Sequence, residues 1–211
     1  MIEWQIEQGS NEWFAARRGR LTASNFNRAM SLKGRETLLR EMNAEIEDLS
    51  KPPKIETYDM RRGKEHEDRA VAVLEMTRGV EARRVGYIEH NHYPLVLASA
   101  DRILFSPEGQ VLGPLEVKCP RIENMGPWMY GDIPFPHLDQ LYCQIWCLQS
   151  VIPSVEKGCL LAYNEQLPPA AQIVEKWLSL PARWVERAEL TVEWFTARVG
   201  RFELPTEEGE L

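Results

Sequence analysis

The sequence predicts a single α/β domain over residues 1–211, a central mixed β-sheet flanked by helices. Three observations predict it. Apolar residues recur at helical spacing through the first third, short β-type runs crowd residues 85–117, and a helix, two strands and a last helix complete the chain. No internal repeat and no domain linker interrupts that order, and 211 residues are enough for one full core.

Taken in order, Ser10 caps a helix that carries Trp13, Phe14, Ala15 and Ala16 and stops at Gly19. Trp13 and Arg17 stand four apart and share a face. Thr22-Ala23-Ser24-Asn25 opens a second helix, Phe26 to Met30, capped by Thr22 or Ser24. Glu36 to Leu49 is a third, apolar at Leu38, Leu39, Met42, Ile46 and Leu49, and Lys51-Pro52-Pro53-Lys54 is a loop. A fourth helix, Tyr58 to Thr77, buries Ala70, Val71, Val73 and Leu74 and ends at Gly79. Strands follow at Val85 to Ile88, Leu95 to Ala100, Ile103 to Phe105 and Val111 to Val117.

After Pro120 the chain turns polar and aromatic, and residues 124–136, with Trp128, Met129 and Tyr130, read as a mobile loop able to stack on bases. Buried packing is the commoner fate of a tryptophan. Pro136-His137 begins a helix with Leu138, Leu141, Tyr142, Ile145 and Trp146 at core spacing. Val155 to Tyr163 and Ala171 to Leu178 are two more strands. A last helix from Pro181 to about Arg198 buries Trp184, Ala188, Val192 and Phe195, and the acidic tail from about residue 205 reads as disordered.

Charge sits where a core strand should not carry it. Residues two apart in a strand share a face, so Glu116 and Lys118 project together while Val117 enters the opposite layer. Pairing across the Ser106–Gln110 turn brings Asp101 beside Glu116. Two adjacent carboxylates repel unless a cation lies between them, and Mg²⁺ takes one or two carboxylates plus waters. Lys118 beside them can orient or deprotonate a water and meet developing negative charge. That combination suits Mg²⁺-dependent phosphodiester hydrolysis, although cross-strand Glu and Lys are also ordinary surface charges.

Supporting positions carry two readings each. Glu67 shares a helix side with Ala70 and Val71, so it either completes a metal site or forms an ordinary Glu–Arg pair of its own helix in the neighbourhood of Arg69. Glu65 points elsewhere, into solvent. Arg17 and Ser24 at a helix start suit a phosphate, yet a plain cap and a surface ion pair explain them more simply. Gln140 and Gln144 lie four apart on the flank of their helix's apolar stripe, and Gln140 and His137 would face the carboxylates if that helix packs beside the hairpin, where a polar pair could hold a water or a phosphate oxygen. A lone histidine is more often structural.

Bulk properties narrow the class. Hydrophobic content is 44% and charged content 27%, ordinary for a globular protein. No window nears the ~18 apolar residues of a membrane span. Met1-Ile2-Glu3-Trp4-Gln5 lacks the pattern of a secretory signal. Cys119, Cys143, Cys147 and Cys159 have no zinc spacing and no disulfide density, which fits a reducing cytoplasm. A net charge of −7 argues against a generally basic nucleic-acid binder but not against a nuclease with a local positive field.

In order, Trp13-x-x-x-Arg17, Leu21-Thr22-Ala23-Ser24, Gly63-Lys64-x-x-Glu67, Ser99-x-Asp101, Leu115-Glu116-Val117-Lys118-Cys119-Pro120 and Gln140 before an aromatic-rich helix resemble the lambda exonuclease (YqaJ-like viral recombinase) branch of the PD-(D/E)xK nucleases over about residues 7–150. The resemblance implies a restriction-endonuclease-like fold. It implies a Mg²⁺-dependent processive exonuclease that digests linear double-stranded DNA 5′ to 3′, with Mn²⁺ able to substitute. Mononucleotides would be released and 3′ overhangs left for a single-strand annealing protein. By motif position Asp101, Glu116 and the Val117 carbonyl resemble the metal ligands, and Lys118 the catalytic lysine. Glu67 and Gln140 resemble the supporting glutamate and glutamine; Arg17, Ser24 and Ser99 resemble the 5′-phosphate pocket.

The family assembles as a homotrimeric ring, which would reconcile an acidic chain with DNA. On this reading two Mg²⁺ ions share Asp101. Ala100 departs from the proline that precedes the aspartate in the wider superfamily, and His137 stands where the phage enzyme has tyrosine. A structure-specific or restriction-like endonuclease and a catalytically silent DNA-end clamp are the rival expectations.

Overall fold

The computed structural model describes residues 1–47 and 58–200. Ile2–Glu3 form β1 and Asn11–Arg17 form α1, whose N-cap Ser10 accepts from the Trp13 amide. Leu21–Thr22 form β2, and a 3₁₀ turn at Ala23–Asn25 leads into α2 (Phe26–Met30) and α3 (Leu32–Glu47). Next come α4 (Tyr58–Arg78), β3 (Glu81–Arg83), β4 (Tyr87–Glu89), β5 (Val96–Ala98), β6 (Arg102–Phe105) and β7 (Val111–Lys118). The C-terminal third holds α5 (Met125–Tyr130), α6 (Phe135–Val151), β8 (Lys157–Tyr163), β9 (Ile173–Ser179) and α7 (Ala182–Thr196).

Among the described residues the strands form two mixed sheets rather than one. A five-stranded sheet runs β3-β6-β7-β8-β9, with only β7 and β8 parallel; a four-stranded sheet runs β1-β4-β5-β2, with β2 and β5 parallel. The predicted strand from Leu95 to Ala100 ends at Ala98, and residues 99–101 carry the chain from one sheet to the other. β1, β2 and β3 are two or three residues long, too short for alternation to announce them.

Period-two alternation makes the five-stranded sheet two-faced. Leu115 and Val117 of β7 and Cys159, Leu161 and Tyr163 of β8 pack under Ala70, Val71 and Leu74 of α4. On the other face Leu160 and Ala162 meet Leu141 and Ile145 of α6 and Met125 and Trp128 of α5. Each fully buried leucine contributes about 1.5–3 kcal/mol. Glu116 and Lys118 point to this second face, toward α6. Asp139 fixes the azimuth of α6 by accepting from Asn27 Nδ2 (2.5 Å) and Trp184 Nε1 (2.8 Å), which ties it to α2 and α7.

The segment expected as a loop is largely helical instead, with only residues 131–134 outside a helix. Ile122–Asn124 is a 3₁₀ turn, and α5 buries Met125 and Trp128, the latter 3% exposed. Pro127 misled the reading because it sits in the first turn, where a missing N–H costs nothing. Met129 and Tyr130 remain exposed. The expected loop at 51–54, Leu49 and the acidic tail lie outside the described residues.

β6 and β7 pair antiparallel with a shift: Leu104 faces Gly113 and Phe105 faces Val111, leaving Leu112 as the extra residue of a bulge. Gly113 follows at φ +148, and a Cβ there would stand 1.9 Å from the Lys157 carbonyl oxygen of β8. Gly113→Ala should lower stability by about 1–3 kcal/mol through overpacking. Gly126→Ala, at an open helical position, should leave it unchanged or raise it by a few tenths. Urea denaturation midpoints of both variants test this; an undisturbed Gly113→Ala would show that β7 and β8 do not approach so closely.

Candidate active site

Register brings the charges together. Arg102 pairs with Leu115, so Asp101, one residue earlier, stands opposite Glu116. The Asp101 amide donates to the Leu115 carbonyl (3.1 Å), and the Val117 amide donates to Asp101 Oδ2 (2.6 Å). The side chain is thereby held against β7 at the mouth of the β5–β6 connection. Burial, then the charges of Glu116 and Glu67, hold the Asp101 carboxyl well above the ordinary carboxylate range.

Glu116 is 2% exposed, and three donors surround it. Lys118 Nζ lies 2.5 Å from Oε1, Gln140 Nε2 lies 2.6 Å from Oε1, and Gln144 Nε2 lies 2.5 Å from Oε2. Lys118 also donates to Gln140 Oε1 at 3.2 Å. Burial alone would lower the lysine's pKa. Glu116 and Asp101 outweigh it and hold the ammonium above the usual value. His137, one turn before Gln140, stacks on Trp128 at 5.4 Å, and burial with the nearby Lys118 charge pushes its pKa down to about 4, so the ring is neutral.

Asp101 and Glu116 present only oxygen donors, the preference of a hard divalent cation, and such a cation would relieve the repulsion that raises the Asp101 pKa. Among the described residues no three His, Cys, Asp or Glu side chains form a ready-made metal cage. Backbone carbonyl or water oxygens would therefore complete the shell, as Mg²⁺ commonly requires. The residues present fit Mg²⁺ on these grounds.

Glu67 is held by an arginine beside that pair. Its Oε1 accepts from Arg102 Nη1 at 2.7 Å, and the same guanidinium, 4% exposed, donates to the Asp101 carbonyl (2.6 Å) and to Asp68 (2.5 Å). The arginine that Glu67 meets is thus Arg102 of β6 rather than one of its own helix near Arg69, and Glu67 reaches the Asp101 backbone through that guanidinium. Glu65 is exposed as expected. Near the start of α4, Arg62 donates to the Cys119 carbonyl (2.5 Å) and pairs with Glu165 (2.8 Å), anchoring the end of β7 just past Lys118.

A second cluster lies beside the first. Arg17 donates to Ser99 Oγ and Ser24 Oγ, each at 3.2 Å, and its guanidinium lies 4.1 Å over the Trp13 ring. Trp13 Nε1 donates to Ser99 Oγ (3.0 Å) and to the Gly86 carbonyl (3.1 Å). Burial lowers the Arg17 pKa to about 10, partly countered by Glu45 and Glu116, so the group stays cationic at neutral pH. A partly desolvated guanidinium bonded to two hydroxyls is suited to a phosphate, which exceeds neutral hydroxyls as a partner. Thr22, hydrogen-bonded to Ser24 at 3.2 Å, is the cap of this turn.

The structure thus gathers Arg17, Ser24 and Ser99 in one pocket and Asp101, Glu116, Lys118 and Gln140 in the adjoining one. Val117 contributes its amide to Asp101. Two residues carry more of the geometry than the sequence indicated: Arg102, whose partners lie 34 and 35 positions away, and Gln144, whose place on the flank of the α6 stripe gave no sign of full burial. Cys143, Cys147 and Cys159 are buried and Cys119 half-buried, all as free thiols.

Among the described residues no helix is long and apolar enough to cross a membrane. The fold is similar to solved exonucleases. An alkaline exonuclease from Laribacter hongkongensis (LHK-Exo) matches over 90% of this chain and 92% of its own, with 24% identity and a TM-score of 0.76. The same protein in complex with dAMP gives 25% identity and a TM-score of 0.77 over the same shares. A phage-related exonuclease from Haemophilus somnus 129PT gives 12% and 0.67, over 85% of this chain and 93% of its own. No curated protein sequence matches significantly. A family model for the YqaJ-like viral recombinase domain matches residues 12–148, which takes in both pockets, and the chain belongs to that family.

Proposed function

We propose that this protein is a Mg²⁺-dependent exonuclease that degrades one strand of linear double-stranded DNA from its 5′ end. It releases 5′-mononucleotides and leaves a 3′ overhang for an annealing protein. The observation that carries the reading is the adjacency of an acid–acid–lysine cluster (Asp101, Glu116, Lys118) to a separate cationic pocket (Arg17, Ser24, Ser99). Family membership and the exonuclease folds of the neighbours support the same class of chemistry.

Asp101, Glu116 and the Val117 carbonyl hold the metal on this reading, with Mn²⁺ as a substitute. When bound, one or two such ions supply positive charge at the scissile phosphate and a more acidic water. The chain's own part is positional. Lys118, fixed by Glu116 and Gln140, donates toward the attacking water or a phosphoryl oxygen. Arg102 neutralises Glu67 and holds the Asp101 backbone, so the carboxylate stays aimed across β7. Arg17, with Ser24 and Ser99, grips the terminal 5′-phosphate, which sets direction by favouring an end that bears it. Processive digestion and the acidic net charge are together accounted for by a homotrimeric ring around the duplex, inside the cytoplasm of a bacterial host.

Alanine at Asp101, Glu116 or Lys118 should cut Mg²⁺-dependent release of mononucleotides from a 5′-phosphorylated linear duplex by about 10²–10⁴-fold. Circular dichroism should stay unchanged; near-wild-type turnover in any of the three overturns the assignment. A covalently closed circle should survive intact, since its digestion would make the enzyme an endonuclease.

Arg17→Ala removes charge-assisted bonds of about 1.5–3 kcal/mol, so turnover on 5′-phosphorylated ends should fall about tenfold or more. Ends bearing a 5′-hydroxyl should be affected much less, and equal losses on both would dismiss the pocket. Mg²⁺ at about 100 times its Kd should stabilise the wild-type fold by about 2.7 kcal/mol. Asp101→Asn should abolish that gain in a calorimetric melt. No Mg²⁺-dependent rise in wild-type Tm would rule out the ion site.

A further inference from the structure

Gln144 sits one turn after Gln140 on α6, fully buried, and the chemistry above does not use it. Its Nε2 faces two acceptors, Glu116 Oε2 at 2.5 Å and the Ser99 carbonyl at 3.2 Å. The amide orientation is therefore dictated: the reverse would set a carbonyl oxygen against a carboxylate and another carbonyl. Its own Oε1 is then left buried without a hydrogen-bond partner. An amide half-satisfied in a dry interior destabilises a fold relative to an apolar side chain of similar shape. Its neighbours Cys143, Ile145, Cys147 and Leu148 are all buried, so packing alone would be served by methionine or leucine. What the amide adds is the donor end.

That donor spans two separate pieces of the site. Glu116 belongs to the carboxylate pair. Ser99 carries, on its hydroxyl, both Arg17 and Trp13. The Ser99 carbonyl lies in the connection between β5 and β6, two residues before Asp101, so one amide pins the phosphate pocket and the ion site to the same rigid helix. We propose that Gln144 is a positioning residue that couples the two pockets, so that ordering of Glu116 for a divalent ion and ordering of Ser99 for a terminal phosphate depend on the same side chain. This rests on the nuclease reading above.

The test uses two measurements that need no turnover. Mn²⁺ binding is titrated by electron paramagnetic resonance. The preference for 5′-phosphorylated over 5′-hydroxyl duplex ends is measured by fluorescence anisotropy in EDTA. Gln144→Met, which keeps the volume and loses the donor, should weaken Mn²⁺ binding by about tenfold or more. It should also reduce the phosphate preference by about fivefold or more. Movement of only one quantity, or of neither, overturns the coupling. Should circular dichroism show Gln144→Met unfolded, Gln144→Asn, too short to reach both acceptors, replaces it under the same criteria. Loss of fold in both variants would make the residue structural and also overturn the proposal. A wild-type protein that binds no Mn²⁺ and ignores the 5′-phosphate refutes the nuclease reading itself, a result distinct from a variant that behaves like a competent wild type.

Discussion

A carboxylate with 2% exposure survives inside a protein only when donors replace the water it has lost, and Glu116 is such a group. Everything around it serves that requirement. Lys118 answers its charge, and Gln140 and Gln144 fill its remaining lone pairs from a helix whose azimuth Asp139 fixes by reaching α2 and α7. Removing one partner of a buried charge typically costs about 3–5 kcal/mol. The polar cluster and the fold are therefore not independent, and α6 must be in place before the site exists.

β7 is asked for two incompatible things and supplies them on opposite faces. Toward α4 it is an ordinary core strand, with Leu115 and Val117 packed against Ala70, Val71 and Leu74. Toward α6 it carries Glu116 and Lys118. A strand separates these demands better than a helix would, because adjacent residues point to opposite layers. The buried guanidinium of Arg102 performs a similar separation at the start of β6: it absorbs the charges of Glu67 and Asp68 and leaves Asp101 as the carboxylate that faces Glu116.

How much of this was legible in the sequence follows from range. The Glu116–Lys118 face needs only period two, and the approach of Asp101 needs only a hairpin whose turn residues, Ser106 to Gln110, are visible. The long helices announced themselves by their stripes. The α5 helix did not, because Gly126, Pro127, Gly131 and Pro134 look like a loop until Met125 and Trp128 are seen to share a buried side. Ser99 could be joined to Arg17 and Ser24 only through the family resemblance, since 75 residues of chain separate Ser24 from Ser99 and no local pattern predicts their meeting. Arg102 and Gln144 were illegible for a related reason. A polar residue in an apolar segment signals something, but its partners are set by how sheets and helices stack, which no local spacing encodes.

The bulge at Leu112 gives the hairpin an asymmetric tolerance. Between Phe105 and Val111 the chain is a solvent-facing turn, and a residue added or lost there would shift nothing beyond it. Downstream of Gly113 the same edit would rotate every later side chain of the strand by half a turn. The acid and the amine would then enter the α4 layer, and leucine and valine would take their places on the face toward α6. Within this hairpin, tolerance of a change in length is thus confined by geometry to the turn end of β7.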